Sequence, residues 1–393
     1  MLPPAEEAPA PSRDPRELQD AALAALGYQE FGEEIEGPIV SGVVTNRRQR
    51  VAPGLVLVCS RSTKRAALID PRGQTAFQWS LPEGLKSKGW LHAELAANGD
   101  LLVIEKGSRL TRLAPTGELV WRHEFAAHHD LHELPDGSLA ALEFDPRRQS
   151  GVQLSCSNLV RLSAAGEVLE RLSLFDLYAD IEDQLPEADR LEVAIAAEKQ
   201  RLAELGFADP PIERTFLDFF HANSLAPVGD AVSARSEGRW RPDDWVVCIR
   251  NRNLVLIVRW EERRVVDHFG SDLLDWPHHP TPLSNGTVLV YDNGKHRGAT
   301  RVLEFDPATG EIAWQYPQRP DAELLSSPEM GSCQRLENGN TLIAESHSGR
   351  VFEVTRTGEV VWDWYTPVVS NGRRENLYRA EKLDPKVLER LRR

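Results

Sequence analysis

Three histidines stand at matching positions ahead of hairpin-type turns. His129 lies seven residues before Asp136, and His278 lies seven residues before Asn285. His221 begins the comparable segment HANSLAPVGD. Residues at equal distances from such turns lie at equal heights along their strands, so we expect the three imidazoles to lie side by side. Neutral imidazoles act as nucleophiles, proton carriers or metal ligands.

Charged side chains are expected at the same height. The strands that return from the turns carry polar residues six positions after the turn glycine, namely Ser60, Glu105, Glu143, Asp292 and Glu345. In the segment that begins with His221, the returning strand ends with Arg250. Acids at strand ends are also typical of loop caps. Together with the histidines, however, this set predicts one functional site at the mouth of a channel.

One ambiguity lies in the histidine pair itself. His279 follows His278 directly, and successive strand side chains alternate between faces, so only one of the two is expected to face the channel. The sequence leaves open which one does so. The further binding candidates in neighbouring positions are His132, Asn293 and His347.

An internal repeat supplies the elements that position these residues. Turn glycines precede apolar alternating runs such as TVLVYD, and most copies then have a second turn before a strand such as TGEVVW. Glycine adopts positive φ cheaply, so these turns indicate hairpins and four strands per unit. Six units indicate an all-β fold, a six-bladed β-propeller with four-stranded blades. The units span about 39–82, 83–126, 127–175, 217–270, 271–320 and 326–367. The Trp residues of the outer strands are predicted to pack between blades: Trp79, Trp121, Trp314 and Trp362.

Three segments fall outside the repeat. Residues 1–38 are predicted to form a flexible lead-in followed by a short helix over Arg16–Leu26, and residues 371–393 a helical C-terminal tail. The propeller is assigned to 39–370. Residues 176–218 form a helical insertion, which we place between the second and third blades as a lid over the channel mouth.

Composition limits the partners. The 393 residues carry a formal net charge of −14 and no basic stripe, which argues against a nucleic-acid partner. No apolar run is long enough for a transmembrane segment, and the four cysteines form no CxxC pair. The oligomeric state is not indicated.

Several motifs resemble the arylsulfotransferase (aryl-sulfate sulfotransferase) family. They are HHDLHELPDGS, HANS, CIRN, PHHPTPLSNGTVLVYDNG and CQRLENGNTLIAESHSGRVFEVTRTGEVVW, in family order over about residues 90–370. The resemblance implies a six-bladed propeller and sulfuryl transfer from an aryl sulfate to a phenol, through a sulfohistidine and without a nucleotide donor or other cofactor. By motif, the nucleophile is His278, with His279 the competing choice. His129, His221, Asn223 and Arg250 are then implied to bind and polarise the sulfate.

The chain differs from the best-known members of that family. It has no room before residue 39 for their extra N-terminal β-domain, no cysteine pair for their disulfide, and PHHP at the nucleophile. Members are often exported, so export or a periplasmic location is expected, with any leader removed.

Two other functions compete with sulfuryl transfer. A ring of carboxylates would repel an anionic substrate, and mixed imidazole and carboxylate groups suit a divalent metal. The metal alternative uses His129, His221, His278, Glu143, Asp292 and Glu345. The third alternative is a binding scaffold without catalysis, since one fold hosts many functions.

Overall fold

The computed structural model describes residues 30–35, 37–106, 109–204, 216–318 and 325–392. Its strands form seven sheets, of which six have four or five strands and are antiparallel except for one added strand, Phe216–Leu217. We number these six sheets 1 to 6 in chain order. The predicted helix over Arg16–Leu26 lies outside the described residues.

Sheets 1 to 3 follow one pattern, in which each strand pairs with the next from the axis outward. Sheet 1 consists of Leu377–Leu383, Leu55–Ser60, Arg65–Ile69 and Thr75–Ser80. Sheet 2 consists of Trp90–Leu95, Leu101–Glu105, Arg109–Leu113 and Leu119–Glu124. Sheet 3 consists of Ala127–Glu133, Leu139–Gln149, Val152–Leu162 and Val168–Ser173, with Phe216–Leu217 added in parallel.

Sheets 4 to 6 repeat this pattern. Sheet 4 consists of Ala222–Pro227, Trp245–Ile249, Leu254–Arg259 and Arg264–Phe269. Sheet 5 consists of Pro277–Pro282, Val288–Asp292, Arg301–Phe305 and Ile312–Tyr316. Sheet 6 consists of Ser332–Arg335, Thr341–Glu345, Arg350–Val354, Val360–Tyr365 and Gly42–Asn46. A small seventh sheet, the rim sheet, consists of Phe31–Glu34, Arg373–Glu375 and Val369–Ser370.

The turn glycines act as the repeat predicts. Gly137 and Gly286 have φ of +81° and +87°, in the region that glycine adopts without a steric penalty. The strands that return from these turns begin with runs of buried, mostly apolar residues, over 139–144 and over Val288–Asp292. Burial on both faces explains their near-continuous hydrophobic character.

The sheets form a propeller-like ring. The innermost strands of sheets 1 to 6 contact one another in ring order, and sheet 6 contacts sheet 1. A separate hydrophobic core fills each gap between neighbouring sheets. The outer-strand tryptophans pack in these gaps, which confirms that part of the prediction: Trp79, Trp121, Trp314 and Trp362. A central cavity of about 300 Å³ is lined by residues of all the inner strands.

The two ends of the chain close the ring, which corrects the predicted boundaries. The segment predicted as a helical tail contains Leu377–Leu383, the innermost strand of sheet 1, and only Val387–Leu391 is helical there. Gly42–Asn46 is the outermost strand of sheet 6 and does not begin the first unit. The charges of the C-terminal strand suggested a solvated helix, but Arg379 and Lys382 pair with acids of other sheets.

The helical insertion follows sheet 3, one sheet later than predicted. Its helices are Leu174–Ala179 and Leu191–Glu204, with single 3-10 turns at Glu182–Gln184 and Glu187–Asp189. Leu191 and Ile195 are buried in the core that sheets 3 and 4 share, so the insertion is packed against the ring. The helix Gly229–Arg235 lies between the first two strands of sheet 4. Further 3-10 turns lie at Arg250–Arg252 and Ser346–Ser348. In the ranges that the structure describes, none of the helices has the length and apolar character of a bilayer span.

Candidate functional site

His278 lies on the innermost strand of sheet 5 and is 1% exposed. Its Nδ1 is 2.7 Å from Asn293 Oδ1, at the end of the neighbouring strand. The amide nitrogen of Asn293 donates to the carbonyl oxygens of Ser327 and Met330, which fixes the orientation of that amide. Asn293 Oδ1 can therefore only accept, so His278 carries its proton on Nδ1. The lone pair of His278 is then on Nε2, a buried atom with no hydrogen-bond partner.

His221 is held by a carboxylate. Its Nδ1 bonds to Asp218 Oδ2, three residues earlier in the chain. Burial alone would raise the pKa of Asp218, but its interactions with His221, with the guanidinium of Arg250 and with hydrogen-bond donors outweigh burial, and the pKa is lowered. An ionised Asp218 accepts the Nδ1–H of His221. His221 therefore presents its lone pair at Nε2.

His129 meets His221 across the gap between sheets 3 and 4. The two Nε2 atoms are 3.0 Å apart, and both side chains are 3% exposed. Because His221 presents a lone pair at this contact, His129 supplies the proton. The two rings thus offer opposite groups at one point, a donor on His129 and an acceptor on His221.

Arg250 is the cation of this cluster. It begins the 3-10 turn Arg250–Arg252 and is 7% exposed. Its Nε donates to Asn251 Oδ1 at 2.9 Å, and its guanidinium carbon lies 4.2 Å from the ring centre of Trp276. A guanidinium held flat against an aromatic ring has its remaining N–H groups in a fixed fork, which suits a tetrahedral anion.

The surroundings keep the imidazoles neutral. Burial lowers the pKa of His278 well below its ordinary value, and Arg250 and His221 act in the same direction. Burial and neighbouring imidazoles likewise lower the pKa of His129. Burial and Arg250 lower the pKa of His221, against the opposing effect of Asp218. Neutral imidazoles are competent nucleophiles and bases at neutral pH.

The carboxylates do not line this site. Glu143 is paired by both oxygens with Arg171, Asp292 accepts from Arg301 at 2.7 Å, and Glu345 accepts from Arg350 at 3.3 Å. Each joins strands of its own sheet, as Glu105 does with Arg122. The expected ring of negative charge is therefore neutralised by arginines.

The metal alternative loses its ligands for the same reason. Glu143, Asp292 and Glu345 use their oxygens for arginine and backbone donors. Within the part of the chain that the structure describes, no group of three or more His, Cys, Asp or Glu side chains has an arrangement suited to a metal ion. The residues present do not fit the predicted mixed His and carboxylate centre.

Two predicted substrate-binding amides have other partners. Asn223 is fully buried and donates to the carbonyl oxygen of Pro277 at 2.8 Å, directly before the nucleophile candidate. Asn293 is 1% exposed and acts on His278. In this structure Asn223 contacts the strand of His278, and Asn293 orients the His278 ring. Contact of either amide with substrate stays a prediction.

The remaining predicted histidines lie outside the cluster. His279 is half-buried with φ of +53° and lines the central cavity. Because His279 has a left-handed backbone conformation, His278 and His279 do not alternate between strand faces as expected. The orientation of a side chain toward the channel therefore does not decide which of the two is the nucleophile. His132 lies three residues along the strand from His129, about 10 Å away, and its ring is 6.5 Å from Trp245. His347 is half-buried in the 3-10 turn Ser346–Ser348, which contacts the rim sheet.

The site is closed in this structure. The two cavities that His129 lines have volumes of about 10 Å³ each, enough for a single water molecule at most. Lys295, like Arg250, makes a cation–π contact with the ring of Trp276, and its Nζ donates a hydrogen bond to Glu329. This ion pair is about one-third exposed, so it lies at the surface beside Arg250.

Sequence reasoning missed three side chains. Asp218 was assigned to the insertion, although an acid three residues before His221 is a recognisable signal. His128 was treated as part of the HHD motif around His129, without a role of its own. Trp276 lies directly before PHH and does not belong to the repeated outer-strand tryptophans. This departure from the repeat could have indicated a role at the site.

Solved structures resemble this fold at low sequence identity. A protein of unknown function from Bacteroides caccae has a TM-score of 0.52 at 14% identity, over 84% of this chain and 98% of that one. The β-propeller domain of Myceliophteria thermophila Cps50 (Swd1) has a TM-score of 0.46 at 12% identity, over 88% and 98% of the two chains. No curated protein matches the sequence.

The comparison with protein families is more specific. The model for arylsulfotransferase (ASST) matches residues 92–367, which include every member of the imidazole and arginine cluster. That match covers well over half of the chain. The chain belongs to the arylsulfotransferase (ASST) family.

Proposed function

We propose that the protein transfers a sulfuryl group from an aryl sulfate ester to a phenolic acceptor through a covalent intermediate on His278. The observation that carries this proposal is the fixed ring of His278, whose Nδ1–H is bonded to Asn293 while Nε2 holds a buried lone pair. A covalent intermediate divides a difficult transfer into two easier ones. No cofactor enters the reaction.

In the first half-reaction, His278 Nε2 attacks the sulfur atom. The N–S bond forms as the bond between sulfur and the aryl oxygen breaks, and the electron pair leaves with that oxygen. Arg250 stabilises the sulfuryl oxygens, and the Nε2–H of His129 donates to the departing phenoxide. The released phenoxide takes its proton from solvent.

In the second half-reaction, the acceptor phenol replaces the first. His221 Nε2, backed by Asp218, takes the phenolic proton as the oxygen attacks sulfur. The S–O bond forms, the N–S bond breaks, and the electron pair returns to His278. His221 then releases the proton to water, which restores the resting enzyme.

We further propose that sheets 1 to 6 are the six blades of one propeller, with the cluster at the upper end of its channel. An aryl sulfate needs more room than the cavities beside His129 provide. Opening of the partly exposed Lys295–Glu329 pair would give access beside Arg250. Glu329 is also the negative charge that an incoming sulfate would replace.

The test is to trap the intermediate. The protein is mixed with 4-nitrophenyl sulfate without acceptor, quenched, and analysed by mass spectrometry for one acid-labile sulfuryl group on the peptide that contains His278. We expect one group per chain, release of an equal amount of 4-nitrophenol, and loss of both in His278→Ala.

His279→Ala and His132→Ala are the matched controls, since both remove a partly buried imidazole outside the cluster. They are expected to keep the trapped group. A sulfuryl group that survives in His278→Ala and disappears in His279→Ala would assign the nucleophile to His279. Absence of transfer and trapping across several aryl sulfates would favour the scaffold without catalysis.

A further inference from the structure

A chain of hydrogen bonds continues behind the site, into sheet 3. His128 Nδ1 lies 2.7 Å from His129 Nδ1. His128 Nε2 lies 3.1 Å from the Oγ of Ser157, which is on the strand Val152–Leu162 of the same sheet. His128 and Ser157 are 3% and 4% exposed. Five side chains thus form one row, from Asp218 through His221, His129 and His128 to Ser157.

The protons in this row can point in one direction only. Asp218 accepts from His221 Nδ1, so His221 Nε2 accepts from His129 Nε2. A neutral imidazole has one proton, so Nδ1 of His129 is an acceptor. His128 must then donate from its Nδ1 and accept from the Ser157 hydroxyl at Nε2.

The opposite direction is excluded by the end of the row. It would place a proton on Nδ1 of His129 and on Nε2 of His221, which would leave His221 Nδ1 without a proton against the Asp218 carboxylate. Two acceptors at hydrogen-bonding distance repel each other. Asp218 is an ionised carboxylate 3.7 Å from Arg250 Nη2, and the pKa of Asp218 is lowered, so Asp218 fixes the direction.

We propose that His128, oriented by Ser157, is a positioning residue that occupies Nδ1 of His129 and so leaves the only proton of that ring on Nε2, the atom that would donate to the leaving oxygen in the proposed reaction. This inference rests on the proposed sulfuryl transfer. His128 acts through His129, because the cavity that His128 lines holds no more than one water molecule. His128 also prevents protonation of His129 at Nδ1, because its own N–H occupies that position.

The tautomer can be read without activity. In 15N-histidine-labelled protein, heteronuclear NMR at pH 7.5 distinguishes protonated from unprotonated ring nitrogens. We expect His129 to be protonated on Nε2 and not on Nδ1. A proton on Nδ1 overturns the proposal, whether or not the protein transfers sulfuryl groups, whereas absence of transfer with the expected spectrum counts against the proposed function alone.

Two variants separate positioning from packing. His128→Leu fills a similar volume without a donor, and His128→Asn keeps a donor near the position of Nδ1. In His128→Leu, Nδ1 of His129 becomes available for protonation, so the His129 titration is expected to move at least half a pH unit upward. His128→Asn is expected to titrate like the wild type. An unchanged titration in His128→Leu, or an equal shift in both variants, would overturn the proposal.

Rates with a series of aryl sulfates supply a second readout. A donor to the leaving oxygen matters more when the phenol is more basic, so at pH 8 we expect His128→Leu to lose two- to tenfold with phenyl sulfate and less than twofold with 4-nitrophenyl sulfate. Ser157→Ala, which removes the far end of the row, should show the same trend more weakly. Equal losses with every donor would indicate a structural role and contradict the inference.

Discussion

Replacement of Asp218 by asparagine tests the assignment of the base. The Asp218→Asn variant would keep the shape of the side chain and could still accept from His221 Nδ1, but it would remove the negative charge that supports a proton on Nε2. The acceptor half-reaction is therefore expected to slow. Sulfuryl transfer to the enzyme is expected to be unchanged or slightly faster, since Arg250 Nη2, 3.7 Å from Asp218, would lose a competing anion.

The size of the effect follows from the bond that is weakened. Hydrogen bonds to charged groups contribute about 1.5–3 kcal/mol and neutral ones about 0.5–1.5 kcal/mol. The exchange is thus expected to cost about 1–2 kcal/mol, or roughly a 5- to 30-fold slower step. The Asp218 side chain is 25% exposed, so solvent screening places the result toward the smaller value.

The assay measures the two half-reactions separately. Stopped-flow release of 4-nitrophenol reports formation of the sulfo-enzyme, and a chase with phenol reports its decay. Asp145→Asn is the matched control, since Asp145 is similarly exposed at 23% and pairs with Arg147 away from the imidazoles. Equal slowing of both half-reactions in Asp218→Asn, or unimpaired decay, would refute the role of the His221–Asp218 pair as base.

Four other predictions concern the same site and its support. Asn293→Leu should reduce sulfo-enzyme formation at least tenfold with little change in KM, because His278 loses the bond that fixes its tautomer. The lowered pKa of His278 should keep kcat/KM at pH 6.0 within twofold of its value at pH 7.5, whereas an ordinary histidine would be about three-quarters protonated at pH 6.0. Glu329→Gln should lower KM for aryl sulfates by up to about fivefold at low salt, because a competing charge is removed. Gly331→Ala should lower the free energy of unfolding by about 2–4 kcal/mol in urea melts, against about 1 kcal/mol for Gly298→Ala, because only the first places Cβ against the Tyr291 ring, at 2.3 Å.

Acid should destabilise the fold in a defined direction. The pKa values of several buried imidazoles, among them those of His128, His129 and His278, are lowered by burial. Below about pH 6.5 the unfolded chain therefore binds more protons than the folded one, at about 1.4 kcal/mol per group and pH unit. Melting temperatures should fall steeply from pH 6.5 to pH 5.5. A flat profile in this window would contradict the neutral assignments.

The repeat predicted much of the framework of the site, because the turns that define the repeat also fix the heights of residues along the inner strands. Counting from turn residues identified His129 and His278 at one height, and the turn glycines have the required positive φ. The count could not predict the left-handed residues His129, His221 and His279, which break alternation where the site lies. Backbone conformations of that kind depend on tertiary contacts, and single residue types do not reveal them.

Charge was the least predictable feature. The acids after the second strands were expected to face the channel, but an arginine within the same sheet engages each of Glu143, Asp292 and Glu345. The partners are separated by 28, 9 and 5 residues. Sequence spacing alone does not pair them, since the pairing depends on strand register. The same holds for Leu377–Leu383, whose charges find partners only after the ring has closed.

The strand Leu377–Leu383 has a consequence for the order of folding. Arg379 on that strand donates to Asp130 at 2.6 Å and to the carbonyl oxygen of Asn223 at 2.8 Å, close to His129 and His221 in the sequence. The imidazoles of sheets 3 and 4 therefore receive support from a strand that lies 249 and 156 residues away from these two partners in the sequence. Contacts of such high sequence separation must offset a large loop-closure entropy, so closure of the ring is expected to be a late step of folding.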